Sequence, residues 1–220
     1  MLGFVSCFAA LLLQSLPTVP SEAGRLIIDN AQFAVWDVTL GPGEGSAAQT
    51  RARNAVIVYL DGGVVRMTSA DGASQAMTYE PGDVVFDGRG AAAARQNVSE
   101  NDTVRAVVID LKDGPVSPLP NTSGYPNAFP RPGVRRAFEN DRLVVWDYTW
   151  ISGMPTPTHF HDKYVVVVYL EDGVLESRTP DGTVAVNEVF FGRTTANPRN
   201  RIHSEALVSG RARALILEMK

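Results

Sequence analysis

The sequence predicts an all-β protein built as two tandem lobes. Three observations carry that expectation: short β-rich runs closely punctuated by Gly, Asp and Pro, no helical hydrophobic period beyond the N-terminus, and an internal repeat. Sliding the chain by 110 residues aligns 36–72 with 146–182 without a gap, and 12 of the 37 positions are identical, enough to call it a duplication. The match resumes near the ends, where 105–112 parallels 213–220. A duplication says more about architecture than any single motif.

Taken in order, residues 1–23 read as a secretory signal peptide forming a signal helix: an apolar run, then Pro17 and the small residues before Gly24. No Lys or Arg precedes the run, which departs from the usual pattern. The expected location is therefore export, periplasmic or secreted. Cys7 is the only cysteine and lies in that segment, so the mature chain is expected to carry no disulfide. Sequons stand at Asn97, Asn101 and Asn121.

The first lobe is expected over 26–112. It holds a strand around Val35-Trp36-Asp37, an apolar run at 55–60, turn signals at Asp61-Gly62-Gly63 and Asp71-Gly72, and a closing strand at 104–111. A connector over 113–136 contains six prolines and reads as extended, neither helix nor central strand. The second lobe, 137–220, repeats the first. In it Gly153 precedes His159 and His161, an apolar strand follows, and Asp172-Gly173 reads as the next turn. The run 164–170 is apolar on both faces, which predicts burial on both sides: one towards the lobe interior, the other against a second sheet or the other lobe.

Hydrophobic content of 45% and charged content of 20% suit a globular core. A net charge of −4 argues against a nucleic-acid partner. The expected partner is a small-molecule ligand or substrate, with no membrane contact after signal cleavage, in a monomer or homodimer. Only three histidines occur. On a strand, His159 and His161 project to one face and can aim two imidazoles at one point. Imidazole is the commonest side-chain metal ligand.

At these residues the second lobe resembles the cupin family, and the whole chain a two-domain bicupin. Gly153, His159-Phe160-His161 and Gly173 fit the spacing of the family's first metal motif. The motif's glutamate falls on Val166, or on Val165 with the shorter spacing, so that ligand is missing. Residues 187–192 resemble the opening of the second motif, and His203 stands where its histidine belongs. The resemblance implies two double-stranded β-helix (jelly-roll) barrels, with His159, His161 and His203 as metal ligands in the second. In the first lobe the equivalent positions read as Gln49, Arg51, Val56 and Val98, a metal-free set.

The resemblance further implies a divalent metal ion, Fe(II) ahead of Mn, Zn, Ni or Cu. It implies a dioxygenase of a small organic acid or enol, against two alternatives: a non-catalytic metal or small-molecule binder, and a metal-dependent isomerase. The alternative reading of the triad is a relic site holding its histidines by hydrogen bonds. No catalytic acid or base is identified. Glu205 lies two residues beyond His203 and is either a substitute carboxylate ligand or a rim charge. Arg51 is either an anion-binding group or a side chain paired or solvated at a barrel mouth. Trp36/Trp146, Tyr59/Tyr169 and Asp37/Asp147 recur in both lobes and are expected to serve packing.

Overall fold

A computed structural model describes residues 24–114 and 117–220. The expected signal peptide, 1–23, and Cys7 lie outside the described residues. Among the described residues every regular element is a strand. The first half contains β1 (Gly24–Asp29), β2 (Phe33–Leu40), β3 (Gly45–Thr50), β4 (Asn54–Tyr59), β5 (Gly63–Ser69), β6 (Ser74–Tyr79), β7 (Val84–Asp87), β8 (Ala92–Asn97) and β9 (Val104–Leu111). The second contains β10 (Arg135–Glu139), β11 (Leu143–Thr149), β12 (His159–Phe160), β13 (Val165–Arg178), β14 (Val184–Val189), β15 (Thr194–Asn197) and β16 (Ile202–Met219).

The two halves share one topology. In the first, a five-stranded sheet runs β1-β2-β9-β4-β7 and a four-stranded sheet runs β3-β8-β5-β6. In the second, the order is β10-β11-β16-β13-β14, with β12 on β16 and β15 on β13. The difference is continuity: β13 does the work of β4 plus β5, and β16 that of β8 plus β9.

That continuity corrects two turn readings. Asp61-Gly62-Gly63 is not a hairpin, because β4 pairs with β7 and β9 while β5 pairs with β6 and β8. It is a corner where the chain crosses from one sheet to the other. Asp172-Gly173 does not turn the chain back either; β13 passes through it with shifts of register opposite β16. A Cβ on Gly173 would sit 3.0 Å from the Ala212 nitrogen, so glycine lets the two bent strands approach. Asp71-Gly72 and Asp181-Gly182 do close hairpins, each glycine with a φ of 87°.

The run 164–170 is buried on both faces. Val166, Val168 and Leu170 join a core shared by the halves, with Val56, Val58, Leu60 and Leu217. Val165, Val167 and Tyr169 point the other way, into the second lobe's own core. The recurring aspartates are structural twins: Asp37 takes two hydrogen bonds from Arg105, and Asp147 two from Arg213. The Arg105 bonds hold the Asp37 carboxyl below its usual range. Of the sequons, Asn97 is fully buried with its amide donating to Leu40 and Asp102 carbonyls, while Asn101 is exposed.

Candidate metal centre

The candidate site is built where β12 lies on β16. Their antiparallel register sets His159 directly opposite His203, and His161 follows one residue beyond β12. The connector holds β12 from its other side, through an Asn127–Phe160 bridge and the Ala128 N–H donating to the Phe160 carbonyl. Among its described residues the proline-rich segment forms no helix; it runs through bends at 123–125 and 128–130 and a turn at 132–133, and it packs against the histidine strand.

The three imidazoles converge. Their ring centroids are 4.6–5.1 Å apart. One ring nitrogen from each lies within 4.8 Å of the others, and all three residues are buried. His159 Nδ1 donates to the Pro157 carbonyl at 2.8 Å, which leaves Nε2 as a bare lone pair. That Nε2 is buried and, among the described residues, has no hydrogen-bond partner. His161 Nε2 and His203 Nε2 face each other at 2.9 Å. His203 Nδ1 meets Ser177 Oγ at 2.9 Å, and Arg201 Nη2 donates to the same oxygen at 3.1 Å.

Burial holds His161 and His203 down to about 2, and lowers His159 as well, so the rings are neutral. Neutral imidazoles can offer lone pairs to a divalent cation, the proton shared between His161 Nε2 and His203 Nε2 giving way to it, and the outer contacts at Nδ1 of His159 and His203 help to fix ring orientation. The residues present therefore fit a metal ion. An orphaned buried acceptor costs about 1–3 kcal/mol, which a bound cation would offset at His159.

The motif glutamate maps to two valines that face opposite ways. Val165 belongs to the interior cluster of this lobe, whereas Val166 lies in the core between the halves. The missing carboxylate position inside the lobe is therefore Val165; a side chain at 166 points away from the histidines. Glu205 is neither a ligand in this arrangement nor a solvated rim charge. Its Oε2 accepts from Trp150 Nε1 at 3.1 Å and pairs with Arg131 at 3.6 Å. Arg131 comes from the connector and lies 4.2 Å over the Tyr148 ring. Burial lowers its pKa from the usual value.

In the first lobe, Gln49 pairs with Ala93 as His159 pairs with His203, so Ala93, not Val98, is the counterpart of His203. The offset of 110 persists to that strand and shifts only in the following loop. Arg51, in the place of His161, is paired: its guanidinium meets Asp87 at 3.1 Å and Asp110 at 3.4 Å, and Arg95 also holds Asp87. Charged pairing thus fills the space that the histidines occupy in the other lobe.

Sequence reasoning found the three histidines and missed Pro157, Ser177, Arg201, Arg131 and Trp150. Only the repeat could have pointed to some of them, since Arg201 and Ser177 have no like residue at 91 and 67.

No family model matches the chain, and none of the curated proteins compared with it matches either. Solved structures do. A cupin 2 conserved barrel domain protein from Leptotrichia buccalis matches with a TM-score of 0.58 at 13% identity, over 90% of this chain and 88% of that one. A variant of the salicylate 1,2-dioxygenase from Pseudoaminobacter salicylatoxidans matches with a TM-score of 0.61 at 13% identity, over 86% and 71%. The oxalate decarboxylase of Bacillus subtilis, described with Mn(II) centres, matches with a TM-score of 0.58 at 12% identity, over 86% and 69%. These likenesses span both halves of the described chain, whose fold is that of the cupins.

Proposed function

We propose that the C-terminal lobe (137–220) binds one divalent metal ion through His159, His161 and His203, and that this centre acts on a small organic molecule. The observation that carries the reading is the convergence of three buried neutral imidazoles, with His159 Nε2 lacking a hydrogen-bond partner among the described residues. A relic site would leave that lone pair orphaned at a cost. When bound, the ion supplies Lewis acidity and coordination positions beyond the three imidazoles.

The chain's own residues supply the rest. The Pro157 carbonyl fixes the tautomer and aim of His159, and the Ser177 hydroxyl helps to hold the His203 ring in place. Arg131 and Trp150 hold the Glu205 carboxylate in the same interior. The N-terminal lobe (26–112) packs against the metal-binding lobe through the shared apolar core, with the connector (113–136) bracing β12. Within this reading the reaction class is dioxygenation of a small organic acid or enol, with Fe(II) preferred. It rests on the all-neutral donor set and on the fold likeness to a salicylate 1,2-dioxygenase. Export of the mature protein belongs to the same proposal and rests on residues 1–23 alone.

The test is metal content by mass spectrometry, followed by oxygen uptake with candidate enols and organic acids. One ion per chain is expected, lost in His159→Ala while the β-sheet circular dichroism is kept. Protein purified from metal-replete medium without metal would sink the proposal, as would a His159→Ala variant of full metal content. Bound metal with no oxygen uptake would leave a metal-binding protein and remove the dioxygenase reading.

A further inference from the structure

The two lobes treat their arginines differently. In the first, Arg51 and Arg95 both pair with Asp87 at the end of β7, and Arg51 also meets Asp110. The same place in the second lobe, at the end of β15, is Asn197: Asp87 stands opposite Ala55, and Asn197 opposite Val165. An amide there carries no charge. Arg201 donates to Asn197 Oδ1 and to Ser177 Oγ, both neutral. Arg193 donates to the Glu188 backbone carbonyl and lies 5.9 Å from the Phe190 ring. Among the described residues neither guanidinium has a carboxylate partner. The nearby Glu205 is engaged by Arg131 and Trp150.

Both arginines line one cavity of about 220 Å³ inside this lobe, together with Tyr169, Ser177, Asn187 and Glu205. At about 30 Å³ per water it has room for roughly seven waters, the bulk of a short-chain or single-ring acid. The cavity shares a wall with the histidine cluster, because Ser177 Oγ touches both Arg201 and His203 Nδ1. Guanidiniums that line a cavity and have no carboxylate partner among the described residues are ready to take an anion, and their planar forks match a carboxylate.

We propose that this cavity takes a small organic carboxylate, its carboxylate group held by Arg201 and Arg193 beside the histidine cluster. The inference names the substrate class of the site proposed above and rests on that reading for its chemistry, although the binding step itself needs only the two arginines. The absent internal carboxylate at position 197 is what makes room, in charge, for an external one.

The experiment is isothermal titration calorimetry of the full chain with malonate and benzoate against malonamide and benzamide. It is run on protein of measured metal content and again after chelation. The acids are expected to bind at least ~10-fold more tightly than the amides, since hydrogen bonds to charged groups exceed neutral ones by about that much. Affinity for the acids should fall as salt is raised. Arg193→Gln should weaken acid binding by about 10- to 100-fold. It is the decisive variant, because Arg201 also supports Ser177 behind His203; Arg201→Lys, which keeps charge but not the fork, should lose part of the affinity. Equal binding of amides, no binding of either acid, or an Arg193→Gln variant of unchanged affinity would overturn the proposal. A metal-free protein that still binds acids through Arg193 would remove the metal centre and leave this inference standing. Bound metal without acid binding would do the reverse.

Discussion

At the scale of single residues, the site depends on which ring nitrogen faces inward. His159 is set by a carbonyl two residues away, and His203 by a hydroxyl 26 residues away on β13. The second contact invites a test. Ser177→Ala removes the oxygen that meets His203 Nδ1 and leaves that buried ring nitrogen without its hydroxyl partner. Loss of such an outer contact lowers metal affinity by about 10- to 100-fold. Competition with a chelator measures it, and unchanged affinity would mean that Ser177 does not orient His203. The histidines were legible from the sequence because only three exist and all fall at motif spacing. Ser177 was not, because a serine on a strand gives no sign of what stands opposite. The Val165/Val166 ambiguity could be resolved only by which face of β13 meets the lobe interior.

At the scale of elements, one glycine pair explains why similar dipeptides behave differently. Asp181-Gly182 turns a hairpin, whereas Asp172-Gly173 lies inside β13. The difference is set by what lies opposite: Gly210 on β16 brings its backbone against Gly173, and a Cβ on Gly210 would stand 2.7 Å from the Gly173 Cα. Gly210 also has a φ of 79°, a left-handed conformation that side chains disfavour. Gly210→Ala therefore meets a backbone clash and a conformational penalty together. Gly173→Ala meets only the looser contact of 3.0 Å with the Ala212 nitrogen and carries no left-handed penalty. Gly210→Ala should destabilise by about 2–4 kcal/mol, and more than Gly173→Ala at about 1–3 kcal/mol. Urea denaturation of both variants gives the order, and the opposite ranking would refute the crossing-point account. Turn chemistry in a sequence marks where a chain can bend. Whether it reverses or only changes sheet depends on a partner strand more than thirty residues later.

At the scale of the whole molecule, the duplication was readable because identical residues recur at a fixed offset, and the shared topology of the halves follows it. Burial of both faces of 164–170 was readable too, from an apolar run with no alternation. Which surface covers the outer face was not, since the valines carry no label for their partner. The structure places Val166, Val168 and Leu170 against Val56, Val58 and Leu60, their own counterparts in the repeat. Leu217, fully buried, belongs to the same core and pairs in register with Val166. Two lobes that bury one apolar core between them lose it together, so neither is expected to melt alone. Leu217→Ala leaves a cavity in that core and should cost about 2–5 kcal/mol. The loss should appear in both lobes: a single calorimetric transition moved to lower temperature, with faster amide exchange in β4 as well as in β13. Two separated transitions, with only the C-terminal one shifted, would show instead that each lobe is stable by itself and that the contact between them contributes little.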